Sequence, residues 1–172
     1  MHHQYLLLLP VALLSACAMN DDLGPVVGVG PQVALVNSAG GQVGAVQSEL
    51  RPEGTYLRIA VEGLPPGEHG LHLHAVGRCD IPAFQTAGAH WNPMGRQHGP
   101  LNRNGAHAGD LPNLTVSANG RGAINFLVSG HDMHDPDGTS LVIHAKPDDL
   151  QTDPSGNSGD RIACAVITSA QP

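Results

Sequence analysis

HGLHLHAVGRC, residues 69–79, alternates leucine and histidine at its centre. Side chains two residues apart lie on the same face of a β-strand. His72 and His74 therefore share one face, while Leu71 and Leu73 face the other. The pattern predicts a strand that packs its leucines into a core and presents two imidazoles together. On its own, this spacing is only a weak indication of a metal site.

Other segments along the chain have the alternation or the aliphatic content of β-strands. Two pairs of them are joined by short turns, SAGG (38–41) and ANGR (118–121), which predict hairpins. No segment has the apolar period of an amphipathic helix. We therefore expect an all-β fold of eight short antiparallel strands, in a barrel or sandwich. The predicted strands are 32–36, 42–50, 55–64, 70–76, 113–117, 122–129, 140–145 and 161–168.

The composition agrees with an all-β domain and narrows the function. The chain has 172 residues, with 22 glycines, 14 prolines and few aromatic residues, at 3%. Charged residues make up 13% and the formal net charge is −7, so the chain lacks the basic surface expected of a nucleic-acid-binding protein. Eleven histidines raise the expectation of a metal site, because histidine is the commonest metal ligand.

Two long segments rich in Gly, Pro, Asn and His separate the predicted strands, at 77–112 and 146–160. A long structureless loop inside a compact domain is uncommon unless it is functional or held in place. The first loop contains three histidines and a carboxylate that suit zinc: His90, His98, His107 and Asp110. From the residue types alone, a metal site and an ordinary polar loop both remain open.

The N-terminus is read as a targeting segment, with a signal peptide over residues 1–16. Its apolar run is too short to span a bilayer comfortably. The sequence LSAC, ending at Cys17, resembles a bacterial lipoprotein signal in which that cysteine is lipidated; an ordinary cleaved signal peptide is the alternative, since the first residues carry no Lys or Arg. Residues 17–31 are interpreted as a flexible tether, and 32–172 as the folded domain.

Both alternatives predict an exported protein. Ala18 after the cysteine favours the outer membrane, by resemblance to sorted lipoproteins, so we expect a periplasmic protein whose only membrane contact is a lipid anchor at Cys17. An oxidising compartment favours a disulfide between the other two cysteines, Cys79 and Cys164.

Five segments, taken in order, resemble the Cu/Zn superoxide dismutases of the exported bacterial type. The resemblance covers about residues 32–168 and implies an eight-stranded Greek-key barrel with two long functional loops. The matching segments are GLHLH (70–74), AGAHWNP (87–93), HGPLNRNGAHAGDLPN (98–113), SLVIHAKPDD (140–149) and DRIACAVI (160–167).

The resemblance implies one copper and one zinc per chain. It implies that copper is bound by His72, His74, His90 and His144. It implies that zinc is bound by His90, which bridges the two metals, and by His98, His107 and Asp110. It also implies that Asp148, rather than its neighbour Asp149, links a copper-binding to a zinc-binding histidine, that Cys79 and Cys164 form the disulfide, and that Arg161 lies beside the copper.

The implied activity is the conversion of superoxide to dioxygen and hydrogen peroxide by copper cycling between its +2 and +1 states. Arg161 would attract the anion, and His90 would release copper in its reduced state and carry a proton. The alternative is a non-catalytic periplasmic copper and zinc buffer or chaperone on the same fold. A zinc hydrolase is excluded because the implied zinc ligand set leaves no water position. Both a monomer and a homodimer remain open.

Two features depart from this pattern. The second loop has one lysine against four aspartates, so strong electrostatic steering of superoxide would have to come from elsewhere, for which we consider Arg78, Arg96 and Arg103. Three histidines receive no role from the resemblance, and all three are expected to be exposed: His69, His131 and His134.

Overall fold

A computed structural model describes residues 24–130, 133 and 135–170. The predicted signal peptide, the lipidation of Cys17, and the two histidines His131 and His134 lie outside the described residues. Within this part of the chain there are nine strands and one short 3₁₀ helix, Gln85–Ala87. The strands are β1 Gly28–Val29, β2 Val33–Asn37, β3 Gln42–Arg51, β4 Gly54–Glu62, β5 Gly67–His74, β6 Asp110–Val116, β7 Arg121–Ser129, β8 Thr139–His144 and β9 Arg161–Thr168.

The strands form one antiparallel sheet in the order β6-β5-β8-β9-β2-β3-β4-β7, with β1 added to β3. The sheet curls into a nearly closed barrel, as the all-β expectation required. The chain crosses from β4 to β5 on the far side of the sheet and returns through β7 to pair with β4, which is a Greek-key path. No helix in the described residues is long and apolar enough to cross a bilayer.

The alternation of apolar side chains explains why these strands close around one core. In β4, Leu57, Ile59 and Val61 are buried, while the residues between them are exposed. In β5, Leu71 and Leu73 are fully buried, as the leucine-histidine alternation predicted. Aliphatic side chains dominate the core, and its buried aromatic members are few, in agreement with the composition. Burial of this kind is the main source of stability for such a domain.

The strand boundaries differ from the predictions at two places beside β5. β5 begins at Gly67 rather than at 70, because Gly67, Glu68 and His69 pair with β6. β6 begins at Asp110 rather than at 113, since Asp110 lies opposite His72. Alternation did not indicate these extensions, because the residues added to β5 include a glycine and a glutamate and those added to β6 include an aspartate and a proline. They are strand residues because they pair with the neighbouring strand.

The segment interpreted as a flexible tether is partly a strand, and this interpretation needs correction. Gly28 and Val29 pair with Leu50 and Glu49 of β3. This short strand has too few residues to show an alternation, so only the position of β3 reveals it.

The long loop between β5 and β6 folds back along β5, which explains how it stays ordered. Trp91 N donates a hydrogen bond to Leu73 O at 2.8 Å, and Leu73 N donates one to Gly109 O at 2.9 Å. A single β-bridge also joins His74 to His90. The loop therefore brings its own histidines against the histidine-bearing face of β5.

Candidate metal centre

Four buried histidines from three parts of the chain meet at one end of the barrel. β5 supplies His72 and His74 on one face, β8 ends with His144 beside them, and the folded-back loop supplies His90. One ring nitrogen from each lies within 4.8 Å of those from the others. We call these four residues the histidine cluster. The structure thus brings together all four residues that the family resemblance assigned to copper.

Each ring in the histidine cluster has one bonded nitrogen and one left without a partner. His72 Nε2 contacts Asp148 Oδ2 at 2.7 Å, His74 Nδ1 contacts Gly88 O at 2.9 Å, and His144 Nδ1 contacts Gly159 O at 3.1 Å. The nitrogens without a hydrogen-bond partner are His72 Nδ1, His74 Nε2, His90 Nε2 and His144 Nε2. Buried polar atoms are normally hydrogen-bonded, so four unpartnered nitrogens in one place fit a bound metal ion.

Burial keeps these rings in the neutral form that a metal needs. It lowers the pKa of His74 to about 2, that of His144 to about 3 and that of His90 to about 4. The pKa of His72 is also lowered by burial, although its hydrogen bond to Asp148 opposes the shift. A neutral imidazole has a free lone pair, so the cluster is ready to bind a cation at neutral pH.

A second cluster, which we call the loop cluster, consists of His90, His98, His107 and Asp110. The Nδ1 atoms of the three histidines lie 3.0, 3.1 and 3.2 Å from Asp110 Oδ1, and His107 Nδ1 is 3.4 Å from His90 Nδ1. Four ligands about 2.0–2.1 Å from a tetrahedral zinc ion are separated by about 3.3 Å. The loop cluster therefore has the spacing of a closed tetrahedral site.

Asp110 is held so that only one of its oxygens is available to the loop cluster. Its Oδ2 accepts hydrogen bonds from the backbone N–H groups of Gly99, at 2.8 Å, and His107, at 2.9 Å. Burial opposes its ionisation, but hydrogen bonds with His90 and His98 outweigh that effect and lower its pKa. Asp110 therefore offers Oδ1 as an anionic ligand.

His90 belongs to both clusters. Its Nδ1 faces the loop cluster, 3.0 Å from Asp110 Oδ1, while its Nε2 is the unpartnered nitrogen of the histidine cluster. Its ring centroid lies 4.0 Å from that of His72 and 5.2 Å from that of His98. A single imidazole can therefore contact two ions, one through each nitrogen.

Asp148 joins the two clusters from behind. Its Oδ2 is 2.7 Å from His72 Nε2, and its Oδ1 is 3.0 Å from His98 Nε2. Burial lowers the pKa of His98, but its contacts with Asp110 and with Asp148 outweigh that effect and raise the pKa to about 9. The structure places Asp148 between the two rings, whereas Asp149 is exposed and accepts hydrogen bonds within its own loop.

A cavity of about 970 Å³ opens onto the histidine cluster, and Arg161 lies in its wall. The Arg161 guanidinium donates to Phe84 O and to Gly88 O, both at 2.7 Å. Both acceptors are carbonyls, so its positive charge is not cancelled by a carboxylate. Among the described residues that line the cavity, Arg161 is the only arginine or lysine.

The disulfide fixes the loop that carries these carbonyls. Cys79 and Cys164 are bonded, as the sequence led us to expect. Cys164 lies on β9, three residues after Arg161. The buried side chain of Phe84, from the loop, belongs to the same hydrophobic cluster as Cys164. The loop and the arginine are therefore held to the same strand.

The three arginines considered for steering do not line the cavity. Arg78, Arg96 and Arg103 are all exposed, and Arg78 is hydrogen-bonded to Asp80. Among the described residues that line the cavity, Asp160 is the only one with a carboxylate side chain. Whether the three arginines affect the approach of an anion stays a prediction.

The expectation that His69 is exposed is wrong. Its side chain is buried, and its two ring nitrogens contact Pro65 O at 2.8 Å and His144 O at 2.7 Å. His69 thus holds the backbone of a residue in the histidine cluster. Parity with Leu71 and Leu73 could not predict this, because the register of β5 is irregular between His69 and Leu71 and both parities are buried from His69 to His74.

Comparison with known proteins agrees with this geometry. Residues 40–167 match the family of copper/zinc superoxide dismutases. The chain is 38% identical to superoxide dismutase [Cu-Zn] 2 of Aquifex aeolicus, over 77% of this chain and 83% of that protein. It is 42% identical to superoxide dismutase [Cu-Zn] of Deinococcus radiodurans, over 90% of this chain and 89% of that one.

Solved structures show the same fold. A SOD-like protein from Bacillus subtilis superposes with a TM-score of 0.77 at 38% identity, covering 81% of this chain and 100% of that one. The Cu/Zn superoxide dismutase from Brucella abortus superposes with a TM-score of 0.67 at 28% identity, covering 81% of this chain and 99% of that one. The chain belongs to the copper/zinc superoxide dismutase family.

Proposed function

We propose that this protein removes superoxide in the cell envelope, with copper in the histidine cluster and zinc in the loop cluster. The observation that carries the proposal is the set of four unpartnered buried nitrogens beneath a cavity whose wall contains an arginine hydrogen-bonded to two carbonyls rather than to a carboxylate. An all-imidazole set suits copper, and imidazoles with one carboxylate suit zinc. A copper ion held there would supply one-electron chemistry, by which two superoxide ions and two protons give one dioxygen and one hydrogen peroxide.

Arg161 would bind the anion. Its guanidinium is fixed by two backbone carbonyls and keeps its charge, so no reorganisation is needed when superoxide enters. The cavity also contains His74, His90 and His144, so the anion would lie between the arginine and the cluster.

His90 would handle a proton. Its Nδ1 is held by the loop cluster, which leaves Nε2 to be either a ligand or the site of a proton. His90 also lines the cavity, so a proton held at Nε2 would lie within reach of an anion bound there.

The zinc ligands would act by holding the loop. Three histidines and Asp110 form a closed set, so the site keeps no open position for a substrate. Filling it would fix the ring of His90 and, through Asp148, the ring of His72.

A second candidate is a metal buffer or chaperone that binds copper without turnover. Such a protein needs the ligands but has no need of a charge at the cavity wall. The presence of Arg161 in the cavity favours the enzyme.

The cellular location also belongs to this proposal. The apolar run before Cys17 and the LSAC sequence support export and a lipid anchor at that cysteine, in the outer membrane facing the periplasm. The disulfide agrees with an oxidising compartment.

Metal analysis combined with superoxide decay tests the proposal. The chain from Cys17 to Pro172 is purified, loaded, and measured for copper and zinc content and for the rate at which it removes superoxide. One copper and one zinc with fast decay is expected. One tightly bound copper, with superoxide decaying no faster than in protein-free solution, would contradict the dismutase. It would support a protein that stores metal without turnover. His144→Ala should abolish decay while leaving zinc bound.

A further inference from the structure

Exposed aliphatic side chains gather where the described part of the chain begins. We call them the N-terminal face, which consists of Val26, Val27, Val29 and Leu50. They are 47%, 65%, 66% and 46% exposed, respectively. The other exposed large hydrophobic side chains of the described residues all belong to the loop after β5: Ile81, Met94 and Leu101. Single exposed apolar residues are ordinary, whereas a group of them points to an interaction surface.

Hydrogen bonds hold the N-terminal face to the barrel. Val27 N donates to Leu50 O at 2.8 Å, and Gly30 N donates to Ser48 O at 2.9 Å. At the start of this segment, Arg51 Nη1 donates to Gly24 O at 2.8 Å. The valines are therefore presented on an ordered strand at the end of the barrel. Gly28 pairs with Leu50 and Val29 pairs with Glu49, so Leu50 and Val29 project to opposite sides of this strand, and the N-terminal face is an end surface formed by both sides.

The N-terminal face lies at the end of the barrel opposite the cavity. Ser38, in the turn before β3, lines the cavity, while Leu50, near the other end of β3, belongs to the face. The eight residue-to-residue steps of strand from Gln42 to Leu50 span about 26 Å. β9 runs the same way, from Arg161 in the cavity wall to Ile167, which lines a groove with Val29 and Leu50.

We propose that the N-terminal face rests on a lipid surface, so that the cavity opens away from the membrane. The inference rests on the proposed anchor at Cys17. Seven peptide steps from Cys17 to Gly24 span at most about 25 Å, so an acyl chain on Cys17 keeps the face close to the bilayer. An anchor fixes distance without fixing orientation. Aliphatic side chains on both sides of β1, which would leave water when this end of the barrel contacts the interface, supply the orientation.

The orientation has a functional consequence. Superoxide is an anion, and an anionic lipid surface beside the cavity would repel it and narrow its approach. With the face on the membrane, the cavity opening is held roughly one barrel length from the lipid headgroups. The enzyme would then meet superoxide that arrives from the aqueous side.

Tryptophan fluorescence on chemically anchored protein tests this orientation. The chain has three cysteines, two of them in the disulfide, so Cys17 of the chain 17–172 can be coupled selectively to a maleimide phospholipid in vesicles. Val27→Trp reports on the face, and Met94→Trp is the matched control, since Met94 is equally exposed but lies in the loop after β5. Trp91 is buried and common to both variants, so its signal is subtracted with the parent protein.

Brominated lipids should quench the added signal of Val27→Trp at least twofold and leave that of Met94→Trp unchanged. Equal quenching of the two variants, or none, would overturn the proposal. Self-association of the uncoupled chain that Val27→Asp abolishes would also overturn it, because a second copy would then cover the face. An unmodified Cys17 in protein recovered from its own cells would overturn it as well. Superoxide decay in the same vesicles separates these results from a failure of the proposed enzyme.

Discussion

Arg161 and His74 donate hydrogen bonds to the same oxygen atom, the backbone carbonyl of Gly88. The arginine Nη2 is 2.7 Å from this oxygen, and His74 Nδ1 is 2.9 Å from it. One carbonyl thus fixes both a member of the histidine cluster and the cation of the cavity wall. Because Gly88 lies in the loop that the disulfide holds, the geometry of the site depends on a covalent bond outside it.

Removing the disulfide should therefore reduce activity as well as stability. In Cys79→Ser/Cys164→Ser, the free energy of unfolding should fall by about 2–5 kcal/mol. Superoxide decay per bound copper should also fall severalfold at a temperature where the variant is folded, because the Gly88 carbonyl is no longer held. Ile81→Ser, an exposed change in the same loop, is the control and should match the parent. Unchanged decay per copper would show that the disulfide is purely structural.

Replacing His69 should alter the copper spectrum while leaving zinc in place. Glutamine has one side-chain nitrogen in place of the two ring nitrogens with which His69 contacts two carbonyls. Leaving a buried carbonyl unpaired costs about 1–3 kcal/mol. His69→Gln should shift the Cu(II) EPR hyperfine coupling, because His144 loses its backbone partner.

The matched control is Thr139→Val, at the opposite end of β8. Thr139 is buried and donates to Met133 O at 2.8 Å, so its loss should cost similar stability. Its EPR spectrum should equal that of the parent. The same spectral change in both variants would mean that His69 acts only through overall stability.

Neutralising Asp148 should weaken both metals together. The two carboxylate oxygens of Asp148 accept hydrogen bonds from the rings of His72 and His98, whereas asparagine has one uncharged oxygen. Loss of such partners typically costs 10–100-fold in metal affinity. Asp148→Asn should show this loss for copper and for zinc in competition with a chelator. Asp149→Asn, the exposed neighbour, should stay within twofold of the parent. Loss of only one metal would argue against the link between the clusters.

The stability of protein prepared without metal should depend on pH in two opposite ways. His74, His90 and His144 have lowered pKa values, so the unfolded chain binds protons that the folded chain does not, and stability falls as the pH drops below about 6.5. His98 has a raised pKa, so its contribution is complete below about 6.5 and is lost as the pH rises through about 9. Urea unfolding at pH 5, 6.5 and 9 should give the highest stability near pH 6.5. A steady rise from pH 5 to 9 would contradict this prediction.

Local patterns predicted the strands, the family resemblance implied the ligands, and long-range contacts decided what both missed. Alternation placed Leu71 and Leu73 inside and His72 with His74, because both follow from the period of a single strand. β1 was not predicted, because a strand of two residues shows no alternation and its pairing depends on β3. His69 was misjudged because its partners are carbonyls 4 and 75 residues away, which no motif encodes. The Gly88 carbonyl could not be predicted, since backbone acceptors leave no trace in the sequence.

Pulse radiolysis of the native protein and of Arg161→Gln, each carrying one copper and one zinc, tests the central claim most directly. If superoxide reacts at the histidine cluster beneath Arg161, the native chain should approach the diffusional range of about 10⁸–10⁹ M⁻¹s⁻¹. The variant should be at least tenfold slower, with unchanged copper content. Equal rate constants for the two proteins would contradict the claim that this cavity is where superoxide reacts.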